Sequence, residues 1–208
     1  MSKLVAGVLG LQGDVEEHLE ALDRAISKLG VEGEVILVKS LEDVNRINAL
    51  VIPGGESTTT GSLLSIKGLA PAIRERINSG LPTLGTCAGM ILLAKRARDR
   101  VVGETNQTLI GTLDITVERN SFGRQAESFE TDIHLDLPGI GNFHAVFIRA
   151  PTIKSVGNGV KVLATLDDEV VSVMQGNTIG TSFHPELSGS TAVHEYILGL
   201  AMEREISK

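Results

Sequence analysis

The sequence predicts an α/β fold whose central sheet is mostly parallel and gains antiparallel strands from the C-terminal half. In residues 4–52, apolar runs alternate with an amphipathic helical pattern, and the connections are short. This order is typical of a parallel sheet covered by helices. In residues 81–90, an apolar run passes through glycines directly into another helical pattern. From residue 115 onward the apolar runs are short and separated by turn signals, which favours antiparallel strands.

The first strands and the first helix follow from the apolar pattern. Residues 4–11, 35–38 and 49–52 are apolar runs that predict three buried strands. Asp14 and Glu17 have the spacing of a capping box at the start of a helix. That helix carries apolar residues on one face, namely Val15, Leu19, Leu22, Ile26 and Leu29.

Turn residues and periodicity define the next helices. Gly30 predicts the end of the first helix, and Ser40 predicts the start of a short helical turn. Residues 56–66 and 69–77 carry two further helical patterns.

Another helix is predicted directly after residue 87. Its apolar positions are Met90, Leu93, Ala94 and Ala97, and its charged end at residues 95–100 is a solvated face. Residues 101–113 are irregular and carry no prediction.

The C-terminal half is predicted as strands followed by one helix. Turn signals at Asn158-Gly159 and Gly176-Asn177 separate short runs. The final helix covers residues 192–205, with Val193, Tyr196, Ile197, Leu200 and Ala201 facing inward. The predicted strands are residues 115–117, 128–135, 143–148, 160–166, 170–174 and 178–182. With neither repeats nor a linker, residues 1–208 are treated as a single domain.

The composition argues against nucleic acid and membranes as partners. The 208 residues have a net charge of −7, no tryptophan and no basic stripe. Their apolar runs are shorter than the ~18 residues of a membrane helix, and the N-terminal segment does not resemble a signal peptide. The single cysteine cannot form an intramolecular disulfide and fits a reducing compartment. We therefore expect a cytosolic protein.

Cys87 lies at the turn of a predicted strand-turn-helix elbow. Such a turn projects its central side chain from the carboxyl end of a strand, as hydrolases with a Gly-x-Ser-x-Gly elbow do for serine. Glycines at positions 85 and 89 permit the sharp turn, and the start of a helix favours a thiolate. The alternative is a small buried cysteine beside glycines needed for packing.

His184 is the histidine best placed to serve as a base. Pro185 favours an extended backbone before it, so the His184 and Glu186 side chains can point to the same side. The carboxylate would then orient the imidazole, as in a catalytic triad. The alternative is a turn with a structural histidine and a surface carboxylate. His18 and His194 are expected at the surface of their helices.

A glycine-rich loop is the third candidate part of an active site, beside Cys87 and His184. Residues 53–57 (Pro-Gly-Gly-Glu-Ser) follow a predicted strand and therefore lie at the same sheet edge as Cys87. The backbone N–H groups of Gly55 and Ala88 could form an oxyanion hole. An ordinary loop with Ser57 as helix cap is the alternative. The spacings typical of dinucleotide, phosphate and metal sites are absent from the sequence.

Together these motifs resemble the class I, or triad, glutamine amidotransferases. The similarity rests on residues 53–57, 85–89 and 184–186. More closely, the chain looks like the glutaminase subunits of pyridoxal 5'-phosphate synthases, through residues 11–14 with 17–18, 119–125, 147–151 and 183–187. Ser188-Gly189 departs from the Thr-rich, acidic continuation of that family.

The resemblance implies a flavodoxin-like three-layer sandwich that hydrolyses L-glutamine to glutamate and ammonia, without a cofactor or metal. The ammonia would pass to a β/α-barrel synthase subunit that makes pyridoxal phosphate. Cys87, His184 and Glu186 would form the triad, and Gln12 would lie at the subunit interface. The residues implied in glutamine binding are Gly55, Glu56, Ser57, Arg119, Ile148 and Arg149.

Three alternatives stay open. The chain could be the glutaminase of another synthase, such as the imidazole glycerol phosphate enzyme. It could be a cysteine hydrolase or peptidase of related fold. It could also be a catalytically silent interaction subunit.

Overall fold

The computed structural model describes residues 3–99, 103–119 and 128–206, which form 13 strands, six α-helices and one 3₁₀ helix. The helices are α1 (Val15–Leu29), α2 (Leu41–Arg46), α3 (Ser57–Ile66), α4 (Leu69–Asn78), α5 (Ala88–Leu93) and α6 (Ala192–Ile206), with the 3₁₀ helix at Pro185–Leu187. The first strands are β1 (Leu4–Leu9), β2 (Gly33–Val38), β3 (Ala49–Ile52), β4 (Thr83–Thr86), β5 (Ala94–Asp99), β6 (Gly103–Glu104) and β7 (Leu113–Arg119). The later strands are β8 (Ser128–Leu135), β9 (Gly141–Ile148), β10 (Thr152–Val156), β11 (Lys161–Leu166), β12 (Glu169–Gln175) and β13 (Thr178–Thr181).

One large sheet dominates the structure. Its strand order is β2-β1-β3-β4-β13-β12-β10-β7-β5-β6, and β11 pairs with β12. Strands β2, β1, β3, β4 and β13 are parallel to one another, whereas β12 and β10 add antiparallel pairs. Strands β8 and β9 form a separate antiparallel hairpin. The predicted α/β class, with antiparallel strands from the C-terminal half, is confirmed.

Apolar cores cover both faces of the sheet. In β3, Ala49 and Val51 belong to one core and Leu50 and Ile52 to the other, because alternate residues of a strand face opposite sides. The first core contains the inner faces of α1 and α6, and the second contains those of α2 to α5. No helix in the described part of the chain is long and apolar enough to cross a membrane.

The predicted helix after Cys87 is wrong beyond Leu93. Residues Ala94–Asp99 form strand β5, which pairs in parallel with β7. The register shifts between Ala94 and Arg96, so Ala94 and Ala97 are both buried although they are three residues apart. This irregularity imitates helical spacing and explains the error. Arg100 lies outside the described residues.

Two smaller features also differ from prediction. Strand β10 was not foreseen because it is short and three of its five residues are exposed. The capping box predicted for Asp14 and Glu17 does not form, since the Asp14 side chain makes no capping hydrogen bond. Ser40 does cap α2, where it forms a capping box with Asp43.

His18 and His194 are fully buried, so their predicted surface positions are wrong. His18 Nδ1 lies 3.0 Å from His194 Nε2, which joins α1 to α6 through a hydrogen bond. His18 is three residues after Val15 and four before Leu22, so it lies on the apolar face of α1 despite its polarity. Burial lowers the pKa of both histidines, that of His194 to about 4.

Acidification should destabilise the protein through this pair. The unfolded chain binds a proton on His194 near the ordinary pKa of 6.5, whereas the folded chain does so only near 4. Stability is therefore lost as pH falls between these values. His194→Gln keeps an N–H near the Nε2 position and does not titrate. Its free energy of unfolding should fall by about 2–3 kcal/mol less than that of wild type between pH 7 and pH 4. Chemical denaturation measures this difference, and equal losses in the two proteins would contradict it.

Candidate active site

Cys87 occupies a strained backbone conformation between β4 and α5. Its φ and ψ are 48° and −104°, which a residue with a Cβ rarely adopts. Its N–H donates to the carbonyl oxygen of Thr181 in the neighbouring strand at 2.8 Å. The elbow thereby exposes the sulfur to the cavity described below, although the residue is largely buried.

The glycines beside Cys87 are needed for close packing. A Cβ on Gly89 would overlap the backbone oxygen of Ile52, and a Cβ on Gly85 would overlap the Leu93 side chain and the Gly89 backbone. The elbow can therefore lie directly against β3 only with glycine at both positions.

His184 and Glu186 meet in the turn that follows β13. His184 Nδ1 lies 2.7 Å from Glu186 Oε1, and both side chains are buried. Glu186 is part of the 3₁₀ helix rather than of an extended segment, so the predicted backbone is only partly correct. The His184 N–H donates to Val146 O at 2.8 Å, which anchors the turn on β9.

The electrostatic surroundings favour a charged imidazole. Burial by itself lowers the pKa of His184, but hydrogen bonds and charges from Cys87 and Glu186 outweigh it and raise the pKa to about 10. Because Nδ1 faces Glu186, Nε2 is left for the sulfur. Burial raises the pKa of Glu186, and the hydrogen bond and charge of His184 oppose that rise. His184 thus contacts Glu186 directly and interacts electrostatically with Cys87, whose Sγ lies 3.9 Å from Ile148 O.

One cavity collects almost every residue that the sequence singled out. Its volume is about 460 Å³. Every residue predicted for catalysis, for the oxyanion hole, for glutamine or for the partner lines it, except Glu186, which lies behind His184. The lining residues from those predictions are Gln12, Gly55, Glu56, Ser57, Cys87, Ala88, Arg119, Ile148, Arg149 and His184. The catalytic and binding roles of these residues remain predictions.

The mouth of the cavity carries paired charges. Arg119 Nη2 lies 3.2 Å from Glu56 Oε1, and Nη1 donates to Thr58 Oγ1 at 2.9 Å. Glu56, rather than Ser57, caps α3 by accepting from the N–H groups of Thr58 and Thr59. Burial raises the pKa of Glu56, but hydrogen bonds from Thr59 and Thr58 outweigh it and lower the pKa to about 2. Glu56 is therefore ionised.

Gln12 is engaged within the chain. Its Oε1 accepts from the Glu56 N–H at 2.8 Å and from Thr60 Oγ1 at 3.2 Å. A Cβ on Gly55, whose φ is 133°, would meet the Gln12 side chain. Gln12 therefore fixes the glycine-rich loop within the chain. The sequence had predicted only a contact of Gln12 with the partner subunit.

Sequence reasoning missed two polar residues of this region. Asp14 Oδ2 lies 3.4 Å from His184 Nδ1, and its position in the loop after the first strand was the available signal. Ligand atoms of Asp14, His184 and Glu186 lie within 4.8 Å of one another, although two of these residues already share a hydrogen bond. Gln107 Oε1 accepts from Arg119 at 3.1 Å, within a stretch for which no prediction was made. Of the motif at residues 119–125, all but Arg119 lies outside the described residues.

The chain is similar to known proteins over almost its whole length. The chain matches the SNO glutamine amidotransferase family over residues 8–202. A Nitrosopumilus maritimus protein named pyridoxal 5'-phosphate synthase subunit PdxT is 50% identical over 197 residues, covering 95% of this chain and 96% of that protein. The PdxT protein of Sulfolobus acidocaldarius is 52% identical over 192 residues, covering 92% and 96%.

Solved structures of other proteins share the fold. A crystal structure described as glutamine amidotransferase has a TM-score of 0.84 at 46% identity, covering 95% of this chain and 98% of that one. A Thermotoga maritima glutamine amidotransferase, 16% identical with full coverage of both chains, has a TM-score of 0.61 and supports the fold alone. The fold is that of the flavodoxin-like glutamine amidotransferases. Within that class, the chain belongs to the SNO glutamine amidotransferase family.

Adding a methyl group at Gly89 should destabilise the elbow. Gly89→Ala would place a Cβ against the backbone of Ile52, so we expect a loss of about 3 kcal/mol or more in the free energy of unfolding. Gly199→Ala in α6 is the matched control, because nothing lies within 4 Å of its new Cβ. That variant should be about 0.5–1 kcal/mol more stable than wild type. Urea denaturation compares the two, and equal stabilities would rule out this account of the glycine.

Proposed function

We propose that this chain is the glutaminase component of a pyridoxal 5'-phosphate synthase. It hydrolyses L-glutamine to L-glutamate and ammonia, and it supplies the ammonia for vitamin B6 biosynthesis. The observation that carries the proposal is that Cys87 and His184 line one cavity, with Glu186 hydrogen-bonded to His184 behind it. The name shared by relatives about half identical to this chain supports the choice of synthase.

The chemistry begins with the Cys87 thiolate. It attacks the side-chain amide carbon of glutamine, so a C–S bond forms and the carbonyl electron pair moves to oxygen. The N–H groups of Gly55 and Ala88 bind that oxyanion. When the C–N bond breaks, the His184 imidazolium gives its proton to the departing nitrogen. Its raised pKa, about 10, means that His184 holds this proton at neutral pH.

The second half of the reaction returns the site to its starting state. A water molecule loses a proton to His184 and attacks the thioester carbon. The C–S bond then breaks, which releases glutamate, the Cys87 thiolate and a protonated His184. Glu186 keeps the imidazole oriented through both halves of the cycle.

Glutamine recognition would use the charges around the mouth. Free glutamine carries both a carboxylate and an ammonium group. Arg119 and Arg149 suit the carboxylate, and the ionised Glu56 suits the ammonium. Glu56 and Arg119 are paired with each other in the structure, so binding of glutamine would replace this one ion pair by two. Ser57 and Ile148 would form the remaining part of the glutamine-binding surface.

The proposed partner is a β/α-barrel synthase subunit that consumes the ammonia. The whole chain, residues 1–208, would act as one glutaminase domain. We place the reaction in the cytosol, because a single cysteine that must remain a free thiol suits a reducing compartment. Gln12 would influence the interface through the loop that it holds.

Removal of the nucleophile should abolish glutamine hydrolysis. Cys87→Ala is expected to lower kcat by at least about 10⁴-fold, because no other thiol can form the thioester. Ammonia release is measured with the synthase subunit present. His184→Gln should also be inactive, whereas the exposed histidine control His134→Gln should keep wild-type turnover.

Other outcomes select the alternatives. Turnover by Cys87→Ala would exclude the proposed mechanism. Hydrolysis of peptides but not of glutamine by the wild-type protein would indicate a peptidase. A wild-type protein whose Cys87 is not labelled by a glutamine-analogue electrophile would be a silent subunit.

The synthase partner should increase turnover. We expect the pyridoxal 5'-phosphate synthase subunit to raise kcat by about tenfold or more, since closing a site over substrate excludes water and fixes geometry. The matched control is the barrel subunit of imidazole glycerol phosphate synthase at the same concentration. Activation by that control alone would reassign the chain to the other synthase.

A further inference from the structure

A second buried polar chain lies behind the proposed triad. Glu186 uses Oε1 for His184, whereas its Oε2 has no hydrogen-bond partner of normal geometry among the described residues. The nitrogen facing that oxygen is His18 Nε2 at 3.3 Å, and the side chains of both residues are 0% exposed. A buried carboxyl oxygen without a hydrogen-bond partner is costly at such depth. Packing of the apolar core alone therefore does not explain why a histidine occupies position 18.

The hydrogen bonds of the two buried histidines define one consistent proton arrangement. Both are neutral near pH 7, because burial lowers their pKa values, so each carries one N–H. If His194 Nε2–H donates to His18 Nδ1, the N–H of His18 is on Nε2. That nitrogen then donates to Thr86 Oγ1 at 3.1 Å and has Glu186 Oε2 as a second neighbour at 3.3 Å.

The opposite placement of the two protons leaves two buried groups without a suitable partner. His18 Nδ1–H would donate to His194, so His194 would carry its own proton on Nδ1. That nitrogen is buried and has no acceptor in the described part of the chain. The lone pair of His18 Nε2 would also face the Glu186 carboxylate. A buried donor without an acceptor costs more than a buried lone pair without a donor.

We propose that His18 is a positioning residue of the glutaminase site, whose Nε2–H is shared between Thr86 Oγ1 and Glu186 Oε2 and which is held in that tautomer by His194. The inference rests on the proposed function, since it assigns the support of Glu186. The charge on Glu186 sustains the imidazolium of His184. Loss of the His18 donor therefore weakens the thiolate-imidazolium pair and frees the rotation of the carboxylate.

Several polar and titratable groups surround His18, and they contribute to the pH dependence of any activity or labelling measured at this site. Glu186 and His184 face His18 from the turn after β13, His194 faces it from α6, and Thr86 from β4. Asp14 acts on Glu186 from the start of α1. A variant must therefore be compared with a non-titrating replacement at the same position.

His18→Gln and His18→Asn form the matched pair. The amide nitrogen of Gln can reach the Nε2 position, whereas that of Asn reaches only the Nδ1 position. With the synthase subunit present, His18→Gln should stay within about threefold of wild-type kcat. His18→Asn should lose about 10- to 100-fold in kcat with little change in KM. Equal turnover in the two variants would overturn the proposal.

A second readout does not require glutamine turnover. Cys87 is the only cysteine, so iodoacetamide alkylation as a function of pH reports one thiol. In His18→Asn, the acid limb of this profile should move to higher pH by about one unit relative to His18→Gln. An unchanged limb would contradict the role of His18. A wild-type protein that alkylates normally but does not hydrolyse glutamine would instead refute the proposed function.

The tautomer can be tested in the wild-type protein, which removes any dependence on variant folding. Long-range ¹⁵N–¹H NMR spectra of histidine-labelled protein should show His18 and His194 protonated on Nε2. A proton on Nδ1 of His18 would overturn the proposal.

Discussion

The parallel pairing of β4 with β13 is the constraint on which the site depends. These strands are about 95 positions apart in sequence, yet Thr86 lies opposite Thr181 in the ladder. Cys87 follows the first strand directly, and His184 follows the second after two residues. Parallel neighbours end at the same edge of a sheet, so the sulfur and the imidazole meet there. The hydrogen bond from the Cys87 N–H to Thr181 O ties the elbow to that register.

This placement buries ionisable groups, and the packing around them must compensate. A sheet covered by helices on both faces excludes water from the ends of its central strands. His184 is retained as a charged group there because hydrogen bonds and charges from its neighbours, Glu186 among them, outweigh the cost of its burial. The same reasoning explains why two neutral histidines occupy the space between α1 and α6. They provide a donor to the carboxylate without adding a buried charge.

The sequence predicted the parallel half of the fold well, because each element there obeys one simple period. Strand β3 was predicted at Ala49–Ile52, and α1 at Val15–Leu29. The sequence-based prediction failed at Ala94–Asp99. A register shift in this strand places its buried residues at the spacing of a helix. The residues of the cavity were predictable because short motifs mark them. His18 was not, since its contacts with Thr86, Glu186 and His194 come from three distant segments that no local pattern connects.

The cavity has a rigid back and a front made of loops, and this difference limits how a partner can act. Cys87, His184 and Glu186 are fixed by the ends of central strands and by the histidines behind them. The front consists of the Gly55 loop, which Gln12 holds by its side chain, and of Arg119 at the end of β7. A protein docking at the mouth would have to unfold part of the sheet to move the triad, but need only exchange side-chain hydrogen bonds to move the loop. The activation that we predict for the synthase subunit would therefore work through the proposed oxyanion and substrate contacts.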